Sequence, residues 1–357
     1  LHNLGIIVDL LVTAGIHNLD VETKTLTKYI RNLMAVQRKS GFFGMLGFLK
    51  PGQVNSRKKL KNMKIEDNYD YLFVEGHLVG DILDNPSLSC KHKILRINND
   101  ERSYFYNLAK SKLGISSLYY LLEALRFIWY QIYLMKKTSV WLFASKDDEK
   151  NFIDQAKKYN VKSLYMPPDI QISKSFIKND SKNVLFVGTL LVPNNLSAIK
   201  WYLKNIHPEV SKLRDYKLVV AGYAGSEKQT NDLRKFFSEF QSLEFIPSPK
   251  KLDNLYASAA IFINPMQHGA GIKLKTIHAL AAGLPVVSTS IGNQGTGMRN
   301  KIDIVETDSK IEFIKAIIEL LNNPIRRYDY SSSALLKLKE IYNQRKTLES
   351  VLISIDS

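Results

Sequence analysis

Short apolar segments alternate with helical patterns along almost the whole chain, and that alternation limits the fold more than any other feature. In the first half the strand-like segments are "GIIVDLLV" (5–12), "YDYLFVEG" (69–76), "HKILRI" (92–97), "SVWLFAS" (139–145) and the start of "VKSLYMPPDI" (161–170). A polar run up to Asn183 reads as a linker. The pattern then restarts with "NVLFVGTL" (183–190), "YKLVVAGY" (216–223), "LEFIPS" (243–248), "AAIFINPM" (259–266), "PVVSTS" (285–290) and "KIDIVE" (301–306). Segments such as "NNLSAIKWYLKNIHPEV" (194–210), apolar near every third or fourth residue, fill the intervals as helices. Strands this short, separated by helices, predict parallel sheets in α/β layers.

At about 150 residues per domain, the 357 residues suggest two domains and a helical tail, with boundaries at 1–175, 176–330 and 331–357. Cys90 is the only cysteine, which excludes disulfides and cysteine-based metal clusters and suits a reducing compartment. The apolar stretch "FIWYQIYLM" (127–135) is closed off by Arg126 and Lys136, far short of the roughly 20 residues that span a bilayer. A cytoplasmic protein is expected, at most peripheral at the inner face of the cytoplasmic membrane. The net charge of +16 is spread evenly: 26 Lys+Arg against 17 Asp+Glu up to residue 175, and 24 against 17 after it. A nucleic-acid reader concentrates such charge on one element, so no nucleic acid is expected. Phosphorylated small molecules or an anionic membrane fit the spread at least as well.

The densest chemistry lies in "HGAGIKLKTIHALAAGLPVVS" (268–288). Gly269 and Gly271 leave room for backbone N–H groups to approach a ligand, and the helix that follows points its positive dipole end at the same spot. Lys273 and Lys275 add cations suited to a diphosphate. By itself "GAG" is a common pattern, equally compatible with a relieved turn and solvated lysines.

The ordered set is more specific. "LFVGTLLVPNN", "LVVAGYAGS", "FIPS" and "ASAAIFINPMQHGAGIKLKTIHALAAGLPVVSTSIGNQG" follow one another at sensible spacings. Over about residues 183–322 this resembles the donor-binding domain of GT-B glycosyltransferases, in particular glycosyltransferase family 4 (group 1). "LRINNDERSYFYNLAK" extends the resemblance into the first half through its likeness to the family's "LR.HN.E" pattern. The resemblance implies two Rossmann-like doubly wound domains facing across a cleft, with a C-terminal helix packing back on the first. It implies transfer of a sugar from a nucleotide-diphosphate sugar to a hydroxyl of a sugar, glycolipid or lipid-linked acceptor. Retention of anomeric configuration and a setting in surface polysaccharide or glycolipid assembly come with it.

By position, the resemblance puts Gly188 at the cleft floor. It has Gly269, Ala270 and Gly271 offering N–H groups to the donor phosphates, and Lys273 and Lys275 neutralising the leaving diphosphate. Phe245 to Pro247 would hold the nucleobase, and His268 would contact the donor. Asn98, Asn99 and Glu101 match the family's "HN.E" near the transferred sugar and the acceptor. No cofactor is expected, and no metal either, since no Asp-x-Asp follows a strand in the donor half.

Three departures stand out. His278 replaces the family glutamate that accepts from the ribose hydroxyls, Asn98 replaces the histidine of "HN.E", and the family's first strand has no counterpart before Leu1. A natural N-terminal piece is therefore expected to be missing. These departures keep two rivals open, a non-catalytic GT-B subunit and a nucleotide-sugar epimerase of the same architecture.

Glu75 and His77 in "FVEGHLVG" follow a strand end, where they suit either an acceptor-side role or a hydrogen-bonded loop pair. His17, His92 and His207 cluster with no other ligands, so zinc is not expected. "RKSGFFGMLGFLKPG" (38–52) and "RKKLKNMK" (57–64) suit an anionic bilayer or, preferably, a buried helix with a solvated basic face. "LYYLLEALRFIWYQIYLM" (118–135) is apolar nearly all round and is expected to be buried.

Overall fold

The computed structural model describes residues 5–14, 28–38, 50–111, 114–173 and 179–356. The chain forms two compact units, Leu1–Met166 with Val351–Ser357, and Pro167–Ser350. His17 and residues 39–49 of the proposed bilayer-docking segment lie outside the described residues.

In the first unit, β1 (Asp9–Ala14) and β2 (Asn32–Gln37) pair in parallel. A parallel four-stranded sheet follows in the order β3 (Asn68–Glu75), β4 (Ser89–Ile97), β5 (Val140–Phe143), β6 (Lys162–Tyr165). β2 has no strong sequence signal: only Val36 of "NLMAVQ" is buried. The helices are α1 (Gly52–Asn55), α2 (Glu101–Ser111), α3 (Ile115–Met135) and α4 (Lys146–Lys158), with 3-10 segments at Lys58–Asn62 and His77–Asp84. Ser145 caps α4 by accepting the N–H groups of Asp147 and Asp148. Val74, Leu95, Trp141 and Phe143 of the sheet pack against Phe127 and Leu134 of α3 and Phe152 of α4.

α3 departs from the expected full burial. Ala124, Phe127, Tyr130 and Leu134 dock on the core, whereas Ile115, Leu118, Leu122, Leu125 and Trp129 stay exposed, Trp129 at 72%. Only one side of a helix can face a sheet, and among the described residues nothing covers the other side. The basic run divides as preferred above: Leu60 is buried, and Lys58, Lys59 and Lys61 are exposed. Arg57 is also buried, contrary to a solvated face.

The second unit holds the six anticipated strands: β7 (Asn183–Val187), β8 (Lys217–Gly222), β9 (Leu243–Pro247), β10 (Ile261–Asn264), β11 (Val286–Ser288) and β12 (Val305–Glu306). All pairs are parallel, in the order β12–β11–β10–β7–β8–β9. Succession runs outward one way from β7 and the other way from β10. These two neighbours therefore form the topological switch point, where such sheets bind ligands at their carboxyl ends. The helices used below are α5 (Pro193–Asn205), α6 (Glu227–Phe237), α7 (Leu274–Ala281), α8 (Ser290–Asn293), α9 (Lys310–Asn322) and α10 (Pro324–Ile341).

The division between units falls after Met166 rather than at 175/176. Ile170 joins the second unit's core, and the Ser173 N–H donates to the Ala281 carbonyl at 2.7 Å. The expected tail is also split. α10 contributes Ala334 and Leu338 to the second unit's core. In the last helix, α11 (Gln344–Asp356), Val351 and Ile355 pack on Ile94, Val140 and Leu142 of the first unit. Among the described residues, no helix is long and apolar enough to cross a membrane.

The ends of β7 and β8 approach closely. The Gly188 N–H donates to the Ala221 carbonyl at 3.0 Å, and a Cβ on Gly222, whose φ is +147°, would lie 1.9 Å from the Gly188 carbonyl oxygen. Gly222→Ala is therefore expected to cost about 3 kcal/mol or more by forced backbone displacement. Denaturant unfolding reads this directly, and a loss within experimental error would show that the strand ends part easily.

Candidate functional site

After β10 the chain runs through the glycine loop into α7. Its base is pinned by buried polar groups. The Asn264 side-chain amide donates to Thr276 Oγ1 at 2.8 Å and to the Gly292 carbonyl at 3.0 Å, and the Thr276 hydroxyl donates to that same carbonyl at 2.7 Å. Gly271 has φ +69°, in the left-handed region that glycine adopts without a Cβ penalty.

Lys273 is 5% exposed, and its ammonium donates to the carbonyls of Ala270 (3.1 Å) and Gly271 (2.6 Å) and to Gln294 Oε1 (3.2 Å). Across a trans peptide the C=O and N–H point in opposite directions. Drawing these two carbonyls onto Lys273 therefore turns the N–H groups of Gly271 and Ile272 away from it. Neither N–H donates a hydrogen bond among the described residues. With the start of α7, they make a concavity suited to an anion.

Lys275 is placed differently. Its ammonium bonds Asn195 Oδ1 and lies 5.0 Å from the Phe186 ring centroid. It is also 3.2 Å from where a Cβ on Gly188 would sit. Burial, with the charge of Lys273 behind it, lowers its pKa to about 7. His268 and His278 are exposed. Partial burial of the His278 ring lowers its pKa, so it is neutral at pH 7.

The structure thus gathers Gly188, Gly269 to Gly271, Lys273 and Lys275 around one strand end. The Phe245 ring is engaged elsewhere, 4.8 Å from that of Phe237. Pro247 lies opposite Gly222, so Gly188, Gly222 and Pro247 mark three successive strand ends. Asn195 and Gln294 were not anticipated. The only sequence signal for either is a polar residue inside a motif already noted, in "PNN" and "GNQG".

The first-half candidates converge as well. Glu75, His77, Asn98, Asn99 and Glu101 all line one cavity of about 300 Å³ at the ends of β3 and β4, joined by Thr13 and Arg57. His77 is 2% exposed and lies edge-on to Phe127 and Trp141, and its Nε2 has no partner among the described residues. Burial pulls its pKa down to about 4, against the opposing charge of Asp100. It is a neutral hydrogen-bonding group at pH 7, not a base. Burial and the charge of Asp100 push the Glu101 carboxyl up to about 7, with an Asn99 hydrogen bond pulling the other way. Asp100 itself is engaged at the head of α2, accepting from the Arg102 N–H (3.1 Å) and the Ser103 hydroxyl (2.5 Å).

His207 bonds Tyr216 and the Gln241 carbonyl, and His92 stacks on Tyr71. Among the described residues no group of three or more His, Cys, Asp or Glu comes together as a metal site.

Two α/β units, one doubly wound with a glycine loop at its switch point, define the class: this is the GT-B glycosyltransferase fold. The family described as "Glycosyl transferases group 1" matches residues 181–323. A Klebsiella pneumoniae protein, an uncharacterized 44.6 kDa protein in the cps region, is 34% identical over 366 residues, covering 98% of this chain and 92% of that protein. The chain belongs to the group 1 glycosyl transferase family. Anabaena HepE in complex with UDP and glucose superposes with a TM-score of 0.63 at 11% identity, over 97% of this chain and 91% of that one. S. aureus TarM superposes at 0.61 with 16% identity, covering 80% of this chain. The match spans only 55% of TarM.

His77 makes stability depend on pH. Its folded pKa of about 4 lies below the unfolded 6.5, so the unfolded chain takes up a proton that the folded one refuses. Stability is full above 6.5 and falls as pH drops from 6.5 towards 4, by on the order of 3 kcal/mol. The Glu101 carboxyl, raised to about 7, acts in the opposite sense over the same window, so the His77 contribution is read as the difference in chemical denaturation between the unmodified protein and His77→Gln, which should widen from pH 4 to pH 6.5.

Proposed function

We propose that the second unit binds a nucleoside-diphosphate sugar and that the protein transfers its sugar to a hydroxyl of an acceptor held in the first unit's cavity. What supports this is the pair of N–H groups of Gly271 and Ile272, left without acceptors among the described residues in the loop after β10, with the Lys275 ammonium beside Gly188 at the end of the neighbouring β7. The bond between the anomeric carbon and the diphosphate oxygen breaks, and the acceptor oxygen bonds that carbon and loses its proton. Negative charge grows on the leaving diphosphate, so donors fixed beforehand stabilise the transition state. Lys275 supplies charge there, whereas Lys273 acts by orienting the two peptide planes. Glu101, with a carboxyl near pH 7, suits acceptance of the acceptor's proton.

Uridine is the base of choice for a first test, because HepE is described with UDP. Transfer is read as metal-independent and retaining. The Klebsiella relative in the cps region supports a role in surface polysaccharide or glycolipid assembly, with the protein working at the cytoplasmic face of the membrane. A second reading, a non-catalytic subunit that binds nucleotide without turnover, is favoured by His278 in place of a carboxylate.

Free Lys275 loses its charge above about pH 7, and a bound diphosphate would restore it. UDP affinity should therefore fall as pH rises above 7, by at most about tenfold per unit. Calorimetry in buffers of different ionisation enthalpy should show proton uptake, which Lys275→Met removes. Nucleotide release over a panel of UDP-, GDP- and ADP-sugars tests transfer itself, and absence of any nucleotide binding at millimolar concentration would defeat it. His278→Glu should tighten UDP binding; an unchanged affinity would mean that this side chain does not face the ribose.

A further inference from the structure

The first unit's cavity contains a cation that the chemistry above does not use. Arg57 is 7% exposed, and its hydrogen bonds all leave from Nη1, to the Gln53 carbonyl (2.6 Å), Gln53 Oε1 (3.3 Å) and Ser56 Oγ (3.1 Å). Nε is buried with no partner, and Nη2 donates no hydrogen bond among the described residues. With Nη1 tied back to α1, the Nε/Nη2 edge remains as a planar two-donor fork, the geometry that matches a carboxylate or phosphate. Support for the end of α1 explains Nη1 and leaves that edge unexplained.

Among the described residues no acid pairs with it. Glu75 faces Arg96 at 3.5 Å, and Asp100 is held by its own helix head. Glu101 is only partly ionised at neutral pH, and Arg38 adds further positive charge near Arg57. Placement of Arg57 is fixed from behind. Glu123, fully buried on α3, accepts the Gly52 N–H at the start of α1 at 2.9 Å and pairs with Arg126 at 2.5 Å. Among the described residues, two further atoms of cavity-lining residues, His77 Nε2 and Asn99 Oδ1, are buried without partners. Buried polar groups normally find partners, and a buried unpaired charge is costly, so three such groups on one cavity point to a ligand.

We propose that this cavity binds an acidic sugar, one bearing a carboxylate or phosphate, with the anion on the Nε/Nη2 edge of Arg57 and ring hydroxyls on Asn99 and His77. Its role as the acceptor unit rests on the transfer reading above; its binding does not.

The test uses the full chain, titrated calorimetrically with glucuronate, glucuronamide, glucose 6-phosphate and glucose, and separately with UDP. At least one charged sugar should bind about tenfold or more tighter than its neutral counterpart, and which one does so identifies the anion. Arg57→Gln should erase the preference and leave UDP affinity unchanged, while Arg57→Lys should recover it in part. Should Arg57→Gln fail to fold, the charged-against-neutral comparison on the unmodified protein decides alone. Equal binding of charged and neutral sugars, a preference that survives Arg57→Gln, or no binding in the tens of millimolar would overturn the proposal. Loss of UDP binding by the unmodified protein would defeat the donor reading and leave the cavity result standing.

Discussion

The ammonium of Lys273, turned inward onto the carbonyls of Ala270 and Gly271, is the contact on which the glycine loop depends. It commits a positive charge to the scaffold and fixes the direction of two peptide planes. The ammonium of Lys275, two residues on, lies instead beside Asn195 and Phe186, where burial has already brought it to the edge of titration. The rest of the second unit positions this arrangement. The switch point between β7 and β10 opens the sheet at that place, Gly271 allows the turn, and the Asn264–Thr276–Gly292 contacts hold α7 to the strand end.

The first unit solves a different electrostatic problem. Its cavity combines a neutral imidazole, a carboxyl near half-protonation and an unneutralised guanidinium. Of these, the carboxyl departs most from its state in water, where it would be fully ionised at pH 7, and the imidazole is held neutral well below its usual range. The imidazole's state depends on burial against Phe127 and Trp141, so that part of the cavity's chemistry is set by the packing of α3 and β5 as much as by its lining residues.

The second unit was largely legible in the sequence, because its four central strands, β7, β8, β10 and β11, are apolar runs buried almost throughout. Its glycine loop was legible for the same reason. The separate duties of Lys273 and Lys275 were not. They depend on Gln294 and Asn195, which lie 21 and 80 residues away and carry no local signal. Arg57 was hidden inside a lysine-rich run whose composition reads as solvated. The bare face of α3 was hidden because a helix apolar all round looks buried until the number of surfaces available to cover it is known. The boundary near 170 was misplaced because a proline-rich strand exit looks like a linker even when Ile170 is part of a core.

The final helix has a consequence for how such a chain can be rearranged. Val351 and Ile355 complete the hydrophobic cover of a sheet whose strands lie before residue 166, so the first unit is discontinuous in sequence. A fragment cut or chimera joined once in the second half removes part of the first unit's own core along with the second unit. Exchange of the second unit by recombination is therefore constrained to cassettes with two junctions, one after Met166 and one before Val351.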